Sequence, residues 1–469
     1  MRTVLFLLGL CGALPAADSV LSRVDAHAAN FGEVSRRIWE SPELGFHETA
    51  SSALLQGELR SNGFTVEAGV AGMPTAFTAS YGSGKPVIVL MGEFDALPGL
   101  SQKDEPVQSP AKAGAPGHGC GHNLLGSASA LAAVAIKEEM AARGLKGTIR
   151  YYGTPAEEGG GGKIYMIHAG LFRDVDAVLA WHPGDANEVS LHSMLANNGG
   201  RFRFYGIASH AAAAPERGRS ALDGAMIMLN AVEFLREHVP QETRIHYIIT
   251  NGGSAPNVVP AFAEVNLIAR HPDAQVLAGI WNRIMKCAQA GALASETRLE
   301  FVQGTNYSNV LPNDELAEVL GRAMRKAGGY QYTAAERQFA ESLQKTLGAP
   351  AHRPGPDSVH VDKSEGSGMA STDAGDVSWV VPTAQFTAAT FVPGVAPHTW
   401  QAAACAGTTI GRKGMEVAAR TLALAAVELY DNPAELGAAK AAFQKRLAGR
   451  HWQTNIAPGS KPDFDYALK

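Results

Sequence analysis

Gly117-His-Gly-Cys-Gly-His-Asn123 packs a thiol and two imidazoles between glycines, which let the backbone close around a ligand. The run reads either as one side of a metal site or as a tight turn whose side chains satisfy local hydrogen bonds. Other residues of the right chemistry bear on that choice. Glu157 and Glu158 are adjacent and precede four glycines, and His182 and His398 follow further along. Cys120, His122, Glu158, His182 and His398 together supply a thiolate, a carboxylate and three imidazoles, a set suited to zinc and acceptable to other divalent ions. Five ligands are enough for two ions, and ions about 3.5–4 Å apart can polarise a carbonyl and bring the pKa of water towards about 7. Glu157, diverging from its neighbour on an irregular turn, is then free to act as the general base that takes the water's proton and hands it to a leaving amine. His118 could orient a ligand from behind. The isolated His168, His192 and His246 read as surface or satisfied core.

The elements around these residues place them together. Pro86 to Met91 contains a continuous apolar run of the kind found in a strand covered on both faces, and Glu93 and Asp95 follow it at once. Residues 127–143 are rich in Ala, Leu, Lys and Glu, so the glycine loop leads into a helix. Thr148–Tyr152 is a second strand, running into Thr154-Pro-Ala-Glu-Glu158; Val175–Trp181 is a third, ending at His182; Gln385–Phe391 precedes Pro397-His398. In an open α/β sheet, ligands gather outside the carboxyl ends of the strands, so Asp95, Glu157, Glu158 and His182 are expected to converge there. Helices between Ser22 and Gly63 open the chain. From about Asn197 to Val302 the order β-α-β-β-α-β reads as an inserted small domain. Leu347–Met369, rich in Pro, Gly, Ser, His and Asp, reads as an extended surface excursion. Gly82-Ser-Gly-Lys85 and Gly159–Lys163 only superficially resemble phosphate loops. Each lacks the glycine six residues before its lysine and the hydroxyl residue after it.

A chain of 469 residues, 46% apolar and 18% charged, can bury a large core in about two to four domains. Lys and Arg number 40 against 45 Asp and Glu, which gives no general electrostatic reason to bind nucleic acid or an anionic membrane; a small-molecule ligand is expected. Arg2, the apolar run Val4–Leu14 and small residues to Ala17 have the order of a secretory leader and are too short to span a bilayer. Residues 1–17 are therefore read as a cleaved signal peptide and the protein as exported, periplasmic or secreted. Losing the leader removes Cys11 and leaves Cys120, Cys287 and Cys405, which form no disulfide framework. Cys287, in a helical pattern with Val276, Ile280 and Ile284, and Cys405, among alanines, read as core.

Four runs carry a resemblance: Gly92-Glu-Phe-Asp-Ala-Leu-Pro-Gly-Leu-Ser-Gln102, Gly117 to Gly126, Pro155-Ala-Glu-Glu-Gly159 and Ser371-Thr-Asp-Ala-Gly-Asp-Val-Ser-Trp379. They resemble the aminobenzoyl-glutamate hydrolase B-subunit family, an amidohydrolase branch of the aminoacylase and carboxypeptidase metallopeptidase superfamily, from about Arg23 to Asn432. The resemblance implies an α/β fold: a three-layer α/β/α catalytic domain formed by residues 18–196 and 307–469, with an inserted α+β, ferredoxin-like dimerisation domain at 197–306. It implies hydrolysis of the amide of an N-acyl or N-aroyl amino acid by a metal-dependent amidohydrolase. The ligands of two Zn or Mn ions would be Cys120, His122, Glu158, His182 and His398, and Glu157 the base. Asp95 matches the carboxylate supporting the metal shell. Glu93 stands where other branches carry a ligand histidine and is not counted among the ligands. Ser209-His210 and Pro256-Asn257 resemble dimerisation-domain motifs whose His and Asn reach the substrate, often in the neighbouring subunit. Arg270 resembles a clamp for the substrate carboxylate. A homodimer, or association with a sister subunit, would follow.

Overall fold

The computed structural model describes residues 16–348, 354–454, 456 and 458–468; the leader, apart from its last two residues, lies outside the described residues. Two helices, α1 (Ala16–Glu40) and α2 (Thr49–Ser61), precede strands β1 (Thr65–Ala68), β2 (Phe77–Ser83) and β3 (Val87–Gly92). Helix α3 (His122–Arg143), β4 (Gly147–Gly153), α4 (Gly162–His168), β5 (Ala177–Gly184) and β6 (Asn187–Ser190) follow. The chain then builds β7 (Ala196–Tyr205), α5 (Ala221–Arg236), β8 (Arg244–Asn251), β9 (Phe262–His271), α6 (Ala274–Ala294) and β10 (Arg298–Gln303). It returns through further helices to β11 (Val359–Asp362), β12 (Thr383–Ala389) and a long helix, Thr409–Asp431.

The large sheet has the order β1-β2-β4-β3-β5-β12-β6-β11. Its centre, β4-β3-β5-β12, is parallel throughout, so four carboxyl ends open on one edge. All six residues of β3 are buried. Ile88 and Leu90 join the core formed with α1, α3 and the Thr409–Asp431 helix, whereas Val89 and Met91 join a second core with Met166 of α4 and Phe172. The α/β expectation therefore holds, with helices on both faces of the sheet.

The smaller sheet, β10-β7-β9-β8, is antiparallel. Phe202, Phe204, Val265 and Leu267 turn to α5 and α6, and full burial of each large apolar side chain contributes about 1.5–3 kcal/mol. Asp273 caps α6 by accepting from the Gln275 and Val276 N–H groups. The alternate positions Asn197, Arg201, Asn266 and Arg270 pair across β7 and β9 on the opposite face.

Several element assignments change. Helix α3 begins at His122 rather than Ser127 because Gly121, with φ of 77°, starts it directly from the loop. The excursion from Leu347 to Met369 contains β11, which pairs in parallel with β6; polar surroundings hide the alternation in Val359-His-Val361. On α6 the buried stripe runs through Leu277, Ile280, Trp281, Ile284 and Ala288, leaving Val276 exposed and Cys287 half-buried at its margin.

Candidate metal centre

The sequence-assigned ligands lie on loops at the carboxyl edge of the parallel strands or near the end of such a strand, except His122, which opens α3 directly after the glycine loop. Glu93 and Asp95 follow β3, Glu157 and Glu158 follow β4, His182 lies near the end of β5, and His398 follows β12. The glycine loop is tied to its neighbours by backbone bonds: Gly117 pairs with Leu97, and the His398 N–H donates to the Gly119 carbonyl at 2.8 Å. A Cβ at Gly117 would lie 1.9 Å from the Leu100 carbonyl oxygen, so the close approach requires glycine there. His398 itself takes a φ of 63°, a costly conformation for a non-glycine residue that turns its ring towards the site.

Cys120, His122 and His182 present ligand atoms within 4.8 Å of one another, and so do Cys120, Glu158 and His398. Cys120 is common to both groups. Its sulfur is 3.4 Å from His182 Nε2, whose ring is fixed by Nδ1 donating to the Pro183 carbonyl at 2.8 Å. His398 Nε2 and Glu158 Oε2 are 3.3 Å apart. Asp95 joins the two groups: Oδ1 accepts from His122 Nδ1 at 2.8 Å and Oδ2 accepts from the Glu158 N–H at 2.9 Å. His122 Nε2 is thereby left as a lone-pair donor aimed inward.

Two observations fit a cation here. His122 Nε2, Glu158 Oε1 and Glu93 Oε2 are buried without a hydrogen-bond partner among the described residues, although His122 Nε2 lies 3.2 Å from Glu93 Oε2 and 4.0 Å from Glu158 Oε1. Buried carboxylates also crowd the site. Burial first, then Glu93 and Glu158, pushes the Glu157 carboxyl well above the usual range. Glu158 experiences the same burial, but His398 and His122 lower it to about 2. The two adjacent carboxyl groups are thus pushed in opposite directions by their different neighbours. Burial also pushes the Cys120 thiol up, so a cation would be needed to hold it as thiolate.

Glu93 forms a third three-residue group with His122 and Glu157. Its Oε1 is engaged by a lysine, whereas its Oε2 lies 3.2 Å from His122 Nε2. Lys163 Nζ lies 2.7 Å from Glu93 and 2.6 Å from Asp373, and its side chain has no exposure. This buried pairing gives Glu93 a partner other than a metal. The lysine that ends the second superficial phosphate-loop match is therefore a structural cation of the site. Glu48 also escapes sequence reasoning: it accepts from the Ala156 N–H at 2.8 Å, holding the turn before Glu157. So does Tyr307, whose hydroxyl donates to the Glu157 carbonyl at 2.9 Å. No local motif marks Glu48 or Tyr307, whereas Asp373 lies inside one of the four runs that carry the family resemblance.

A cleft of about 1100 Å³ opens beside the ligands, with the small sheet contributing Asn197, Arg201 and Arg270. Arg270 thus faces the site. His210 and Asn257 are exposed and adjacent, the Ala211 N–H donating to the Asn257 carbonyl, but neither lines this cleft of its own chain. His118 lies behind the loop, its Nε2 donating to the Ile38 carbonyl, and burial lowers it to about 3. It does not touch a ligand side chain through a hydrogen bond among the described residues.

A layered α/β fold carrying these ligand groups at its strand ends defines a metal-dependent hydrolase. The profile of Peptidase family M20/M25/M40 matches residues 89–424, and the chain belongs to that family. Among its relatives, the B component of the p-aminobenzoyl-glutamate hydrolase of Escherichia coli (strain K12) is 39% identical over 434 residues, covering 87% of this chain and 90% of that protein. Xaa-Arg dipeptidase of Mus musculus is 30% identical, covering 91% of each. Two solved structures share the fold. An aminobenzoyl-glutamate utilization protein from Klebsiella pneumoniae superposes with a TM-score of 0.61 at 18% identity, covering 87% of this chain and 97% of that one. A dinuclear metal-binding peptidase of the M20 family from Bacillus subtilis gives 0.60 at 18% identity, covering 87% and 99%.

Proposed function

We propose that this protein hydrolyses the amide bond of N-acyl or N-aroyl amino acids, p-aminobenzoyl-glutamate among them, with two divalent ions, Zn or Mn. The observation that carries this reading is the pair of three-ligand groups sharing Cys120, with Glu157 beside them. Bound ions would supply Lewis acidity to the scissile carbonyl and to water. The chain's own residues do the rest. Cys120, His122 and His182 would hold one ion, and Cys120, Glu158 and His398 the other. Asp95 fixes the His122 tautomer. Glu157, beside both groups but outside the two that share Cys120, takes a proton from the attacking water and delivers it to the departing nitrogen. Arg270 offers a planar fork to the substrate carboxylate.

His210 and Asn257 would stabilise the developing oxyanion of a neighbouring subunit. Support comes from their exposure outside their own cleft, and from apolar residues exposed on the α5 and β8 elements of the same small sheet and its helices. Edge strand β8 exposes Ile248 by 62%, and α5 exposes Phe234 by 73%, an arrangement suited to pairing with a second copy or a sister subunit. The leader-like residues 1–17 support export to the periplasm or medium, and the aromatic amide substrate class supports a part in folate catabolism.

Dipeptide cleavage is a second reading, favoured by the dipeptidase relative. The test is a panel containing p-aminobenzoyl-glutamate, N-acyl amino acids and Xaa-Arg dipeptides, assayed after Zn or Mn loading. Release of the amino acid from the acylated substrates is expected. A metal-loaded protein inert on every member would sink the hydrolase assignment.

A further inference from the structure

The cleft is closed on one side by the chain's C-terminal segment, which lies beyond the part matched by the family profile. This strap is pinned at two places. Trp452 Nε1 donates to Asp376 at 2.7 Å, and His168 Nε2 donates to the Ile456 carbonyl at 2.7 Å. At its far end Phe464 and Tyr466 set their rings edge-on to Phe46, at 5.5 and 5.8 Å between centroids, while Tyr466 packs on the backbone of Gly159 and Gly160 just after Glu158. Between these anchors the strap presents Lys461 and Asp463 to the cleft.

The charges facing the cleft are unevenly engaged. Asp463 and Asp185 both have partners, Asp185 accepting from the Gly394 N–H at 3.0 Å. Glu157 and Glu158 belong to the metal centre. Arg270 and Lys461 make no ion pair or side-chain hydrogen bond among the described residues, and Arg201 makes only a longer-range attraction to Glu264. Two arginines on the β7–β9 face and one lysine on the strap therefore line the same cleft. Such a space suits a ligand with more than one negative charge.

We propose that Lys461, held by the C-terminal strap, binds the side-chain carboxylate of a dicarboxylic amino acid moiety while the β7–β9 arginines take its α-carboxylate. The proposal rests on the hydrolase reading for the identity of the substrate but is tested through binding alone. A lysine suits this position because its flexible stem lets one point charge follow a side chain of variable length, whereas the fixed fork of arginine suits the invariant α-carboxylate. The strap thereby sets substrate selection without contributing to the chemistry.

The test uses the full-length, metal-loaded Glu157→Gln protein and titration calorimetry with p-aminobenzoyl-glutamate and its neutral isostere p-aminobenzoyl-glutamine. Adding Lys461→Met should weaken the glutamate ligand about tenfold more than the glutamine ligand, and Lys461→Arg should recover most of the difference. Equal weakening of both ligands, no change in either, or failure of the glutamate ligand to bind overturns the proposal. Turnover by the unsubstituted protein is read separately. Absence of hydrolysis with the Lys461-dependent preference intact would count against the hydrolase assignment and leave this one standing; hydrolysis without the preference would do the reverse.

Discussion

Asp95 accepts a hydrogen bond from His122 Nδ1 at 2.8 Å with both side chains fully buried. Its other oxygen holds the Glu158 backbone at 2.9 Å, so one carboxylate orients a ligand in each of the two three-residue groups. Asp95→Asn keeps the shape but presents only one acceptor oxygen. Metal affinity should fall about 10–100-fold, as for other residues that orient ligands, while the far-ultraviolet circular dichroism stays unchanged. Competition against a chromogenic chelator measures it, and unaltered affinity would deny Asp95 this role.

Glu157 separates chemistry from metal binding. Glu157→Gln should lower turnover by about 10²–10⁴-fold, the usual contribution of a general base, with bound metal unchanged. Steady-state assay and elemental analysis of one preparation decide the point. Loss of metal in parallel with activity would make Glu157 a ligand instead.

Lys163 stabilises two buried carboxylates at once, its own charge maintained against burial by Asp373 and Glu93. Lys163→Met leaves both unpaired and should destabilise the fold by about 3–5 kcal/mol in urea denaturation. Adding Glu93→Gln and Asp373→Asn should recover most of the loss. A single variant with an unchanged urea midpoint would show that the triad contributes little.

His210 lies outside the cleft of its own chain. If it serves the neighbouring subunit, mixing inactive His210→Ala and Glu157→Gln proteins should regain activity, since one site of each mixed dimer is then complete. Verified mixed dimers without regained activity would place His210 in its own subunit's reaction or outside it.

The site is most legible in the sequence where strands end. The unbroken apolar run before Glu93 and the run Val175–Trp181 before His182 mark buried parallel strands, and the parallel β4-β3-β5-β12 core explains why their successors meet. What escapes are partners brought in from a distance. Glu48 acts through the backbone of Ala156, 108 residues away, and Tyr307 through the Glu157 carbonyl, 150 residues away. Neither bond leaves a local pattern. Lys163 does not stand out because a buried lysine is recognisable only once its carboxylates are seen around it. Strands β1, β2, β6 and β11 lack continuous apolar runs, being edge or near-edge strands with partly exposed residues.

The shared position of Cys120 is the feature on which the two-metal account most depends. Elemental analysis of the purified, Zn- or Mn-loaded protein and of Cys120→Ser after gel filtration tests it directly. The account predicts two ions per unsubstituted chain, with Cys120→Ser losing affinity for both and losing hydrolysis with them. One ion or none in a fully active unsubstituted protein, or two tightly held ions in Cys120→Ser, would contradict it.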